Sequence, residues 1–274
     1  MMFSTTHPVF RFREGDAPLL LSIPHSGTYV PPSIVTRLTP EARALPDTDF
    51  HLDELYRFAL DLGASVIMAT HSRYVIDVNR PPDGPNVRQG ERVTGVCPVE
   101  TFDGYPIHEP GGYPDIDEID ARREAIWRPY HAQLAQEMQR IHQRHGVAVL
   151  WDAHSLRSQL PRYFEGSLPD INIGTHKGAS CDGALTSELF RIASEAEGFT
   201  ASLNGRFTGG YITRHYGRPA ENMHALQCEI THRAYMDEHA PYRYRPDRAS
   251  RIRPHLHRMM EAALAFARAR ARHA

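Results

Sequence analysis

Four polar groups in this chain combine residue types that do chemistry: Pro24-His25-Ser26-Gly27, Asp77-Val78-Asn79-Arg80, Asp152-Ala153-His154-Ser155 and Gln227-Cys228-Glu229. Two imidazoles with a third oxygen ligand leave one coordination position of a zinc ion open for water, the arrangement of a hydrolytic site and not of a closed structural one. Asp77 or Asp152 could accept the second ring N–H of a ligating histidine, which fixes its tautomer and raises its basicity. Glu229 suits the general base that takes a proton from the water, and the Arg80 guanidinium offers a fork for a substrate carboxylate.

Each of these residues also has a plainer reading. A lone histidine after an apolar strand is more often a satisfied core residue than a ligand, which weakens His25 taken by itself. His154 is stronger, because Asp152 lies two residues away on the same strand face and can serve its ring. The third ligand stays open between Asp49, Asp53 and the His51/Glu54 pair. Asp49 and Asp53 share a helix face, so capping and a solvated face account for any one of them. Asp49, nearest the preceding loop, is preferred. Arg73 suits either an oxyanion contact or a structural salt bridge. Tyr211, Arg214 and Arg218, in a Gly-rich loop, read equally as substrate-binding residues or as a solvated basic turn. The acidic run 115–120 reads as a solvated helix N-terminus.

The elements that must position these groups follow from apolar patterning. Leu19 to Ile23, Tyr74 to Val78 and Val147 to Trp151 read as buried strands with the polar groups at their ends, where an open α/β sheet builds its active site. Ser65 to Ala69, Ile171 to Ile173 and Ala225 to Ile230 are further strands. Asp47-Thr48-Asp49 is expected to cap a helix carrying Leu52, Leu55, Tyr56, Ala59 and Leu62 up to Gly63. Residues 81–114 are Pro- and Gly-rich with little periodicity, a long loop expected to cover the site and to pack through Tyr105, His108 and Tyr113. Residues 116–145 predict one amphipathic helix, kinked at Pro129. Further helices are expected from Leu185 to Glu197 and from about Asp247 to the end, with a loop over 205–217. With no internal repeat, 1–274 reads as a single α/β domain.

Composition narrows the class of function. The 274 residues carry 31 basic against 33 acidic side chains, so no extended field draws nucleic acid, and no window approaches an apolar membrane span. The segment Met1 to Arg13 lacks a signal-peptide core, which makes cytoplasm the expected compartment. Three scattered cysteines support neither a disulfide framework nor a structural zinc site and read as reduced thiols. The 17 histidines do not by their number identify a metal site.

Read in order, Ser22-Ile23-Pro24-His25-Ser26-Gly27, Asp47-Thr48-Asp49, Ser72-Arg73-Tyr74-Val75-Ile76-Asp77-Val78-Asn79-Arg80-Pro81-Pro82, Asp152-Ala153-His154-Ser155, and Gly209-Gly210-Tyr211-Ile212-Thr213 leading to Ala225-Leu226-Gln227-Cys228-Glu229-Ile230 resemble the N-formylglutamate amidohydrolase family. The likeness runs from Leu19 to about Glu238. That family is similar in turn to the zinc carboxypeptidases, which implies a mixed central sheet flanked by helices, of the phosphorylase/hydrolase-like kind. The resemblance implies that His25 and His154 bind zinc, Asp77 orients His25, Asn79 and Arg80 hold a substrate carboxylate, and Glu229 is the general base. Where the carboxypeptidase pattern has a ligating Glu three residues after the first His, this chain has Thr28, so the third ligand must come from elsewhere. The implied reaction is hydrolysis of N-formyl-L-glutamate to glutamate and formate, as in histidine degradation. Zn2+ or another divalent transition metal would serve it, and Arg80 with Arg214 or Arg218 would hold the two substrate carboxylates. The expected assembly is a monomer or small homo-oligomer with a small-molecule partner. Other N-acyl amino acid hydrolases, a carboxypeptidase-like peptidase and a non-catalytic metal-binding protein are the competing functions.

Overall fold

A computed structural model describes residues 7–84 and 95–271. Its seven strands are β1 (Phe10–Arg13), β2 (Leu19–Ile23), β3 (Ser65–Ala69), β4 (Ala148–Leu156), β5 (Ile171–Gly174), β6 (Ala201–Leu203) and β7 (Met223–Thr231), forming one sheet in the order β1-β3-β2-β4-β7-β5-β6. β3, β2, β4 and β7 run parallel, while β1 is antiparallel to β3 and β5 to β7, so the sheet is mixed.

The parallel centre is apolar on both faces because helices cover both. Leu19, Leu21, Val149, Trp151, Leu226 and Cys228 share a core with helices Gly183–Ser194 and Pro246–Ala271. Leu20, Ala148, Leu150 and Ala225 share the opposite core with helix Arg128–His145. Side chains alternate along a strand, so Asp152 and His154 on β4, and Gln227 and Glu229 on β7, belong to this second face. There the two long strands carry polar residues beyond the apolar cover.

Residues 116–145 form one helical run in three pieces: Ile116–Arg122, a π-turn over Arg123–Trp127, and Arg128–His145. The wide turn, in which the Arg128 N–H bonds to Arg123 O, sits just ahead of Pro129. Proline has no N–H to donate and its ring presses on the carbonyl four residues back, so a widened turn relieves the conflict expected there as a kink.

Three expectations from the sequence are corrected. Tyr74 to Val78 is not a strand: Arg122 Nη1, His131 Nε2 and Trp127 Nε1 donate to the carbonyls of Val75 (2.9 Å), Val78 (2.7 Å) and Arg80 (2.9 Å). With those acceptors taken by helix side chains, the segment folds as a turn against the helix. Second, Asp47-Thr48-Asp49 caps nothing. The following helix is only Leu52–Leu55, with a 3-10 turn Arg57–Leu60, and begins at His51 in a left-handed conformation (φ 61°) without a side-chain cap. Asp47 is buried instead, accepting from Tyr74 Oη at 2.7 Å and Phe102 N at 2.9 Å. Third, β4 and β7 run on through His154 and Glu229, which lie within the strands and not after them.

The short strands β1 and β6 escape apolar patterning because each is only half buried. The 205–217 loop contains a short helix, Tyr211–Tyr216. Of the 81–114 loop, residues 85–94 lie outside the described residues; among the rest Phe102 reaches the cavity of the site, while Tyr105 is exposed and His108 packs on Tyr113. Among the described residues no helix is long and apolar enough to cross a membrane, and Cys97, Cys181 and Cys228 are buried and unpaired.

Candidate active site and metal centre

The strand order β3-β2-β4-β7 works as a ruler. Arg73 and Asp77 follow β3, His25 follows β2, and His154 and Glu229 pair near the ends of β4 and β7, so groups scattered over two hundred residues are set side by side about 4.8 Å per strand. The turn after β2 needs glycine at position 27, because a Cβ there would lie 2.3 Å from the His71 carbonyl oxygen.

His25, Asp49 and His154 converge, buried, with one ligand atom from each within 4.8 Å of the others. Asp49 Oδ2 stands 3.3 Å from His154 Nδ1 and 3.7 Å from His25 Nδ1. The Asp49 segment is fixed by Asp49 N donating to His25 O and by Ser26 Oγ donating to Asp49 O. Each imidazole turns its other nitrogen to a carboxylate: His25 Nε2 to Asp77 Oδ1 at 2.7 Å, His154 Nε2 to Asp152 Oδ2 at 3.0 Å. Those bonds turn both Nδ1 atoms toward Asp49, and with Nε2 as the donor each Nδ1 is the atom that would meet a metal. Two imidazoles and a carboxylate meeting at one point fit a divalent transition ion and leave coordination positions over.

The charges agree with this fit. Burial and Arg73 hold His25 below the usual imidazole range, so it presents a neutral ring. Burial disfavours charge on His154, yet Asp152 and Asp49 outweigh it and hold that ring well above the range; a cation between Nδ1 and Asp49 would take the place of that proton. Asp77 is buried, but His25 and Arg73 keep it well below the ordinary carboxylate range. Arg73 donates to Asp77 Oδ2 at 2.7 Å, lies 4.9 Å from the Phe102 ring centroid and also lines the cavity of the site.

Glu229 pairs in register with His154 and accepts from Gln227 Nε2 at 2.9 Å. Burial pushes it up to about 8, against the pull of His154. His25, Asp49, Arg73, Asp77, His154, Gln227 and Glu229 open onto one cavity of about 390 Å³ whose walls also carry Arg80, Arg206, Arg214 and the aromatic rings of Phe102, Tyr163, Phe164 and Phe207.

Not every residue singled out in the sequence reaches this cavity. Tyr211 packs against Trp127, His131 and His215 outside the lining. Arg218 is 54% exposed, pairs with Glu221 and also lies outside it. His51 bonds to Tyr242 O, and neither it, Asp53 nor Glu54 joins the His25, Asp49 and His154 group. Asn79 lines the cavity, but its amide bonds inward to Asp152 and to the Ile212 N–H. Arg206 was missed: it sits in a loop with no periodic signal, and only the fold brings it over Phe164, 4.5 Å from the ring centroid.

The sequence pattern of the N-formylglutamate amidohydrolases matches residues 17–236, which takes in every residue of this centre. The chain belongs to the N-formylglutamate amidohydrolase family. N-formylglutamate deformylase of Pseudomonas aeruginosa is 46% identical over 262 residues, 96% of this chain and 98% of its own, and the Pseudomonas putida deformylase is 46% identical over 258 residues, 94% and 96% of the two chains. The crystal structure of N-formylglutamate amidohydrolase from Ralstonia eutropha JMP134 superposes with a TM-score of 0.80 at 24% identity, covering 94% of this chain and 98% of that one. This amidohydrolase fold is therefore shared across almost the whole length.

Proposed function

We propose that the protein hydrolyses the formamide bond of N-formyl-L-glutamate, releasing formate and L-glutamate, with His25, Asp49 and His154 holding a divalent transition metal, zinc by preference. The observation that carries this reading is the convergence of that buried triad beside Glu229 in a cavity whose wall bears four arginines. A bound cation supplies Lewis acidity toward the formyl oxygen and acidifies water.

The chain's own groups do the rest. Glu229 accepts a proton from the attacking water as the water oxygen bonds to the formyl carbon, and returns it to the amide nitrogen as the C–N bond breaks. Gln227, tied between Glu229 and the Gly210 N–H at 2.7 Å, holds that carboxylate in place. Arg80, 38% exposed at the cavity and 3.6 Å from Asp77, and Arg214 face the two substrate carboxylates, with Arg206 a third cation on the same wall. A dianion needs at least two such anchors. The compartment proposed is the cytoplasm, where buried unpaired thiols persist.

The test compares wild type and E229Q on formyl-, acetyl- and succinyl-glutamate. Turnover of the formyl substrate should be fastest in wild type and fall at least about a thousandfold in E229Q with metal content unchanged. Wild-type rates in E229Q would remove Glu229 as the base, and preference for a larger acyl group would reassign the substrate.

A further inference from the structure

Asn79 touches both halves of the centre. Its backbone N–H donates to Asp77 Oδ1 at 2.8 Å, the same oxygen that receives the His25 Nε2 proton. Its side-chain Nδ2 lies 3.3 Å from Asp152 Oδ2 and 2.9 Å from His154 Nε2. The direction of the amide is settled by its other end: Asn79 Oδ1 accepts from the Ile212 N–H at 2.8 Å, so the NH2 must face Asp152. Asp152 is bonded at its second oxygen too, by Ser22 Oγ at 3.1 Å, which leaves its plane no freedom to turn.

The bonds to Asn79 reach the substrate wall as well. Asn79 O accepts from the Tyr211 N–H and Asn79 Oδ1 from the Ile212 N–H, the first turn of the short helix that carries Arg214. The backbone passes so close that a Cβ at Gly210 would stand 2.5 Å from Asn79 Nδ2 and 2.7 Å from Oδ1.

We propose that Asn79 is a positioning residue of the metal centre and not an anchor for the substrate carboxylate: through Asp77 and Asp152 it sets both ligating imidazoles, and through Tyr211 and Ile212 it ties them to the wall bearing Arg214. The proposal rests on the metal-centre reading of His25, Asp49 and His154. Residues that orient ligands in this way change metal affinity roughly 10- to 100-fold when removed, whereas a carboxylate anchor changes substrate affinity.

The experiment titrates metal-free wild type, N79A, N79S and G210A with Zn2+ against a chelating indicator, records visible spectra of the Co2+-loaded proteins, and measures KM and kcat separately. Wild type should bind one ion. N79A should bind it roughly 10- to 100-fold more weakly, with an altered Co2+ spectrum and a KM near wild type; N79S, which keeps a short donor, should fall between. G210A adds one methyl group against the amide and removes no polar atom, and should also weaken binding. N79A with wild-type metal affinity and Co2+ spectrum but a KM raised tenfold or more overturns the proposal and makes Asn79 a substrate anchor. If N79A does not fold, N79S and G210A decide by the same two readings. A wild-type protein that takes up no stoichiometric metal overturns the metal-centre reading itself, which is a different result from intact binding in every variant.

Discussion

His154 and Glu229 are direct partners across the parallel β4–β7 pair, so the same backbone register that places a candidate metal ligand on one strand places a carboxylate beside it on the next. Neighbouring strands fix that separation more tightly than any loop could. The pair is also coupled electrically, since a positive charge at His154, or a cation in its place, draws the proton off Glu229.

That coupling predicts a pH profile. In the proposed reaction Glu229 acts as a base only when ionised, so kcat/KM should fall as pH drops through its pKa. Burial pushes the group from 4.5 up to about 8 and a bound cation pulls it back, so the acid limb should lie between those values. A limb below 4.5 in a metal-loaded pH–rate series would show that burial does not raise the base.

Chelation of the metal should abolish turnover reversibly and lower thermal stability, because a ligand that binds only the folded state stabilises it in proportion to its saturation. At a hundredfold excess over Kd this is about 2.7 kcal/mol, roughly 5–10 °C in Tm for a chain of this size. Calorimetry with and without EDTA, followed by Zn2+ add-back, checks both parts.

R206A and R214A should each raise KM about 10- to 100-fold with a smaller effect on kcat, the loss of one charge-assisted carboxylate contact. R218A, outside the cavity, should change KM less than about twofold. A large KM effect for R218A with none for R214A would mean that the 205–218 segment is arranged differently during turnover.

Glu118 offers an acid-stability test remote from the metal. Its hydrogen bond from Arg37 is the main cause that lowers it to about 2; burial opposes, and Arg122, 0% exposed, adds to the lowering. Its folded pKa lies below the unfolded value near 4.5, so the stability it confers is fully present above pH 4.5 and is lost as pH falls toward 2. E118Q should be less stable than wild type at pH 7, with the gap closing over that window in urea melts. A pH-independent gap would assign the effect to packing of Arg122 against Val75 O.

Much of this protein is legible in its primary structure. The apolar runs Leu19–Ile23 and 147–151 dictate central strands because only a doubly covered sheet buries such sequences, and the pairs Asp152/His154 and Gln227/Glu229 share a face through simple alternation. His25, His154, Glu229 and the family pattern around them need no coordinates. What folding alone decided is which of several equivalent side chains meet. Asp49 is only the preferred one of four candidates until the turn after β2 sets its Oδ2 beside both imidazoles, and Tyr74–Val78 has every local feature of a strand until helix side chains 47 and 53 residues later claim its carbonyls. Arg206 and Arg218 are alike in sequence, each beside a glycine, yet only the first lines the cavity. Local pattern specifies which face a residue takes and what chemistry it carries; the distance between groups is set by long-range packing, which no short stretch of sequence contains.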